Sequence, residues 1–184
     1  MKKIGTILTA ASGTFALVPG IAVLITEVGV PPGTSSVMYA TVMESLGVLS
    51  LLILWLNKNK LQQLSVKSAT RITILLAVSF FVFLIVYLQL FGFYVVSTPG
   101  SESLLFPLWP QGELASGLAK YDSKATLIRE WGRDDVFNVI AESSNLALQW
   151  SKMVFLLVYV IMFTSLTLSF GILGVCIKEE KKQD

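Results

Sequence analysis

The side chain best placed to do unusual chemistry is Glu44, an acid set in the otherwise uncharged stretch 37–56. A carboxylate at the centre of a membrane segment costs about 2.5–3.5 kcal/mol on insertion scales, so it must face a neighbour rather than lipid. Ala40, Gly47 and Leu51 share its helical face, and a helix approaching there would allow the carboxyl to stay protonated or to pair through hydrogen bonds. Two roles fit: an interhelical hydrogen bond, or a conducting or proton-sensing group on an oligomer axis. Gln89 lies at nearly the same depth in the stretch 72–96, so a hydrogen bond between the two is one expectation. An ordinary interhelical contact, worth about 0.6 kcal/mol, is the other.

A second candidate constellation is basic. Lys58, Lys60, Lys67 and Arg71 lie in the segment 57–71 without an acid among them, forming a surface for an acidic partner or for anionic lipid. Cys176, at the end of the last apolar run, is a thiol in a reducing compartment or a site of S-palmitoylation.

Enzymatic chemistry has little to work with. The sequence holds one cysteine and no histidine, which excludes an internal disulfide and a histidine-containing metal or nucleophile site. Asp134 and Asp135 with Glu142 form an acidic group, but the aspartate pair is explained by the start of a helix. Phosphate-binding glycine loops and nucleophile elbows are missing. The expectation is therefore no catalytic site, no metal, no cofactor and no direct nucleic-acid binding.

The elements that position these residues follow from hydropathy. The chain is 54% hydrophobic and only 14% charged, against about a quarter charged in soluble domains, with a mean hydropathy of +0.72. Ile72 to Val96 carries no charge and is long enough to cross a hydrocarbon core of about 30 Å as one helix. Residues 4–26 and 153–176 have the same character, as does 37–56 apart from Glu44, predicting four spans. In the first, Gly5, Thr9, Gly13, Ala16 and Gly20 form a small-residue face, and Pro19 predicts a kink. In the last, Thr164, Thr167, Gly171 and Gly174 form another. Pro31-Pro32-Gly33 makes the turn between the first two spans.

Basic residues in short loops set orientation. The segment 57–71, the start at Lys2-Lys3 and the tail at Lys178, Lys181 and Lys182 place both termini and the basic loop in the cytoplasm. Three regions follow: residues 1–96 with spans one to three, 97–152 as a small helical extracytoplasmic cap, and 153–184 with span four and a short tail. The aromatic residues of span three, Phe80, Phe81, Phe83, Tyr87, Phe91, Phe93 and Tyr94, predict a lipid-facing or intersubunit surface. In the cap, Leu104, Leu105, Phe106, Leu108 and Trp109 need cover from protein or membrane. One helix is expected over 122–131 behind an Asp122 cap, and another from Asp134 to Trp150, running on into span four. A region this small should lean on the spans or on sister subunits.

The layout of four spans with inside termini, the Val30-Pro31-Pro32-Gly33 outer turn, the basic inner loop and one outer segment between spans three and four resembles the KwaA proteins, membrane components of the bacterial Kiwa anti-phage system. The resemblance covers the whole chain by architecture. It implies a homo-oligomer in the inner membrane that senses phage-associated disturbance and engages a soluble DNA-binding effector, KwaB, through cytoplasmic surfaces; it transfers no catalytic residue. The function expected from residues and resemblance together is an oligomeric sensor or scaffold. A homo-oligomeric channel that depolarises the membrane, with Glu44 lining it, and a subunit of a larger transporter or secretion assembly are the alternatives.

Overall fold

The computed structural model describes residues 10–14, 29–97 and 102–176. Helices dominate: α1 (Ser36–Leu56), α2 (Lys58–Gln62), α3 (Val66–Tyr94), α4 (Gly112–Lys120), α5 (Lys124–Trp131), α6 (Arg133–Ser143) and α7 (Asn145–Cys176). Two two-residue strands, β1 (Val95–Val96) and β2 (Leu104–Leu105), pair antiparallel with Val95 opposite Leu105. Three described helices, Ser36–Leu56, Lys67–Tyr94 and Asn145–Cys176, are long and apolar enough to cross a membrane, which marks the chain as a helical membrane protein. Of the predicted first span, only residues 10–14 are described and they are helical; Gly5, Thr9, Ala16, Pro19 and Gly20 lie outside the described residues.

Helix ends depart from the expectations for identifiable reasons. Helix α3 starts at Val66 rather than Ile72, because Ser65 caps it: the Ser65 hydroxyl accepts from the Ser68 amide at 3.2 Å, and the Ser65 carbonyl accepts from Ala69 at 3.0 Å. It stops at Tyr94, and Val95–Val96 leave the apolar run to form the ladder, with Phe106 N–H donating to the Tyr94 carbonyl at 2.8 Å. Ser123, not Asp122, caps α5 by accepting from the Thr126 amide at 3.0 Å. The helix expected over Asp134–Trp150 is two helices broken at Ser144. Ser144 is buried, accepts from the Gln111 amide at 2.9 Å and donates to the Gln111 carbonyl at 3.2 Å, so a distant segment fixes the break.

The chain forms two compact units. The first comprises Met1–Gly29, Ser36–Ile85 and Val158–Asp184. Within it α7 is the helix on which the others pack. Tyr159 meets Tyr39 of α1 edge-on at 5.7 Å between ring centroids, and Phe163 meets Phe80 of α3 at 6.5 Å. Gly171 is where packing is tightest: a Cβ there would lie 2.2 Å from Leu54 Cδ1 and 2.9 Å from Ser12 Oγ. The small-residue face predicted for the last span is thus used, with Thr167 and Gly171 buried. In the short stretch 10–14 the packing residue is Ser12 rather than Gly13, whose Cβ position is open.

The second unit comprises Val30–Ser35 and Val86–Leu157, so the inserted region folds together with the last turns of α3 and the first turns of α7. A core of Leu104, Phe106, Leu114, Leu127, Ile128, Val136 and Ile140 holds it. Of the apolar run noted in the sequence, Leu104, Leu105 and Phe106 are buried, while Trp109 stays 55% exposed. Gly117 lets α4 approach α5 closely, since a Cβ there would stand 2.5 Å from the Trp131 ring. Lys152 donates to the Gly33 carbonyl at 2.6 Å and fixes the Pro31–Thr34 turn, where Gly33 has φ +69°. Lys124 donates to the Phe93 carbonyl in the last turn of α3 and sits 4.3 Å from the Tyr94 ring centroid, a cation at a helix C-terminus. Burial there pushes its pKa below the usual lysine value.

Candidate functional site

Glu44 lies on α1 beside the buried stripe of Tyr39, Ala40, Met43, Gly47, Ser50 and Leu54. It is half-buried, and among the described residues its carboxyl has no hydrogen-bond or ion-pair partner. Gln89 is exposed on α3 and belongs to the second compact unit, whereas Glu44 belongs to the first. The stripe that packs is one position off the face expected from Glu44: Ala40 and Gly47 are buried, whereas Leu51 is intermediate.

The buried polar chemistry of the first unit lies instead in small hydroxyls that the sequence reading did not single out. Ser12 Oγ donates to the Thr167 carbonyl at 2.9 Å, and Ser169 Oγ donates to the Thr73 carbonyl at 3.3 Å. Ser79 and Ser165 pair through their hydroxyls at 3.3 Å. Each of these bonds ties α7 to another helical segment, at roughly 0.6 kcal/mol apiece by the measured average for membrane helices. The signal in the sequence was the spacing of Ser165 and Ser169, four apart and so on one helical face with each other.

The basic constellation is in place. Lys58 and Lys60 lie on α2, and Lys67 and Arg71 lie in the first two turns of α3; all four are exposed. None has an acidic or hydrogen-bonding partner among the described residues. Trp55 and Leu56, immediately before α2, are 70% and 66% exposed, which gives this segment an apolar edge beside its charges. Cys176 is half-buried and its thiol donates to the Leu61 carbonyl at 3.2 Å, tying the end of α7 to α2. Leu61, Ser65 and Cys176 thus position the cations by local capping and by one long-range contact.

The acidic group is dispersed. Asp134 and Asp135 sit in the first turn of α6, where they suit the positive end of the helix, and Arg133 bridges Asp134 at 3.3 Å and Glu102 at 3.0 Å. Among the described residues no group of three or more metal-ligating side chains forms. Comparison with known protein families, characterised proteins and solved structures finds no match to this chain.

Proposed function

We propose that this membrane protein is an oligomeric sensor or scaffold of the bacterial inner membrane, coupling a membrane or extracytoplasmic disturbance to a soluble cytoplasmic effector, in the manner that the KwaA-like layout implies for anti-phage defence. The observation that carries the reading is the exposed cation pair Lys58 and Lys60 on α2, which, like Lys67 and Arg71 beyond it, is free of acidic partners among the described residues. By the rule that basic short loops stay inside, this segment and both termini are cytoplasmic, and the inserted region between α3 and α7 is extracytoplasmic. That region has a hydrophobic core of its own. Steering by the unpaired cations would favour a partner with an acidic face.

The test is recovery of the soluble partner from gently solubilised host membranes. Lys58→Gln with Lys60→Gln should lower recovery of that partner while leaving the amount of this protein in the membrane unchanged. Unchanged recovery sinks the docking assignment.

A second reading rests on Glu44. A half-buried carboxyl on a spanning helix with no partner among the described residues is what a homo-oligomeric channel would place on its axis. Weighing against it, the buried serines Ser12, Ser165 and Ser169 are engaged in helix-to-helix hydrogen bonds rather than set along a path. Planar-bilayer currents altered by Glu44→Gln would favour the channel; absence of current would favour the scaffold. Membership in a larger transporter or secretion assembly would show itself by integral membrane proteins among the co-purifying chains.

A further inference from the structure

One face of α3 has the chemical profile of a phospholipid. Lys67, Arg71, Leu75, Val78, Val82 and Ile85 follow one another at steps of four, four, three, four and three, which confines them to an arc of about 80° at 3.6 residues per turn. All are exposed: Leu75 71%, Val78 54%, Val82 51% and Ile85 60%, with the two cations at the head of the row. Neither cation has an acidic or hydrogen-bonding partner among the described residues. The ten-residue rise from Leu75 to Ile85 is about 15 Å. That is half of a hydrocarbon core of about 30 Å, the depth of one leaflet.

We infer that this face binds an anionic phospholipid, with the headgroup phosphate on Lys67 and Arg71 and an acyl chain along Leu75, Val78, Val82 and Ile85. The placement of the cations depends on the Ser65 cap, which carries the helix two turns beyond the apolar run and so presents both on the same face as the apolar row. The charge calls for an anion, and the apolar row calls for a chain reaching into the membrane interior; a phospholipid supplies both in one molecule. A soluble acidic protein would satisfy only the cations. A second copy in the same orientation, meeting on this face, would bring like charges together. The inference rests on α3 crossing the membrane and is independent of any effector. It also divides the basic segment, assigning Lys67 and Arg71 to lipid and leaving Lys58 and Lys60 for a soluble partner.

The full chain, extracted into mild detergent, is titrated with dioleoyl phosphatidylglycerol or dioleoyl phosphatidylcholine, and retained lipid is counted by native mass spectrometry. Phosphatidylglycerol should be preferred. Lys67→Gln with Arg71→Gln should weaken its retention roughly 10- to 30-fold. Lys58→Gln with Lys60→Gln should keep retention within about threefold, since exposed charges away from the headgroup are screened. Dihexanoyl phosphatidylglycerol, which keeps the headgroup and shortens the chains, should bind more weakly than the dioleoyl lipid.

Equal losses in the two double variants, no preference for the anionic lipid, or undiminished binding of the short-chain lipid would each overturn the assignment. So would loss of a soluble partner from Lys67→Gln/Arg71→Gln with lipid retention unchanged. Failure of the effector reading registers separately, as unchanged partner recovery from Lys58→Gln/Lys60→Gln.

Discussion

Replacing Ser151 with alanine tests how the inserted region is fastened to the helix that leaves it. Ser151 is fully buried on α7, donates to the Ala147 carbonyl at 2.7 Å and accepts from the Leu108 amide at 2.8 Å. Ser151→Ala removes the only acceptor of the Leu108 amide among the described residues, at a cost of about 1–3 kcal/mol. Alanine returns about 0.5 kcal/mol through its better helix propensity. The net loss of about 0.5–2.5 kcal/mol corresponds to local opening, and hence amide exchange at Leu108, that is roughly 2- to 60-fold faster. Hydrogen–deuterium exchange of the full chain in detergent, resolved to peptides covering 104–111, reads this directly. Ser116→Ala is the control, because Ser116 is exposed and its hydroxyl reaches only its own helix at Gly112. Unchanged protection at Leu108 in Ser151→Ala, or an equal loss at every amide, would refute the reasoning.

Two further outcomes follow from the packing. Gly171→Ala should destabilise the chain by about 1–3 kcal/mol, because the new Cβ lies 2.2 Å from Leu54 Cδ1. Leu54→Ala should return part of that loss, and strictly additive melting shifts in the double variant would contradict the contact. Lys124 gives a pH dependence: burial lowers its folded-state pKa below the ordinary 10.5, so between the two values the unfolded chain binds more protons and stability rises with pH. Wild-type protein should therefore gain on Lys124→Gln in melts at alkaline pH relative to neutral pH, and a flat or falling difference would refute the sign.

The long apolar helices were legible because runs of this hydropathy and length have few alternatives, and α1 begins within one residue of the predicted stretch. Their ends were less so. The early start of α3 depends on Ser65, whose capping role competes with a hydropathy signal that begins only at Ile72. The break at Ser144 was not legible locally, since its hydroxyl is held by Gln111, 33 residues away, and the flanking sequence is compatible with an unbroken helix. Val95 and Val96 read as the end of a span because a short apolar strand and the last turn of an apolar helix have the same composition; pairing with Leu104 and Leu105 decides between them.

The candidate site divides the same way. The exposed cations could be read from charge alone, whereas the interior serines could not, because a serine in an apolar run gives no sign of which backbone carbonyl it will meet. Glu44 was conspicuous by its charge, yet the helix face that packs is set by Tyr39, Met43, Gly47 and Leu54 beside it.

The proposed coupling to a soluble cytoplasmic effector stands or falls on what accompanies the chain. Native mass measurement of the tagged chain, extracted gently from its own host with every co-purifying chain identified, tests it most directly. A homo-oligomer accompanied by a soluble cytoplasmic protein is the predicted result. A clean homo-oligomer with no companion would contradict it and make conductance through the Glu44 helix the next measurement.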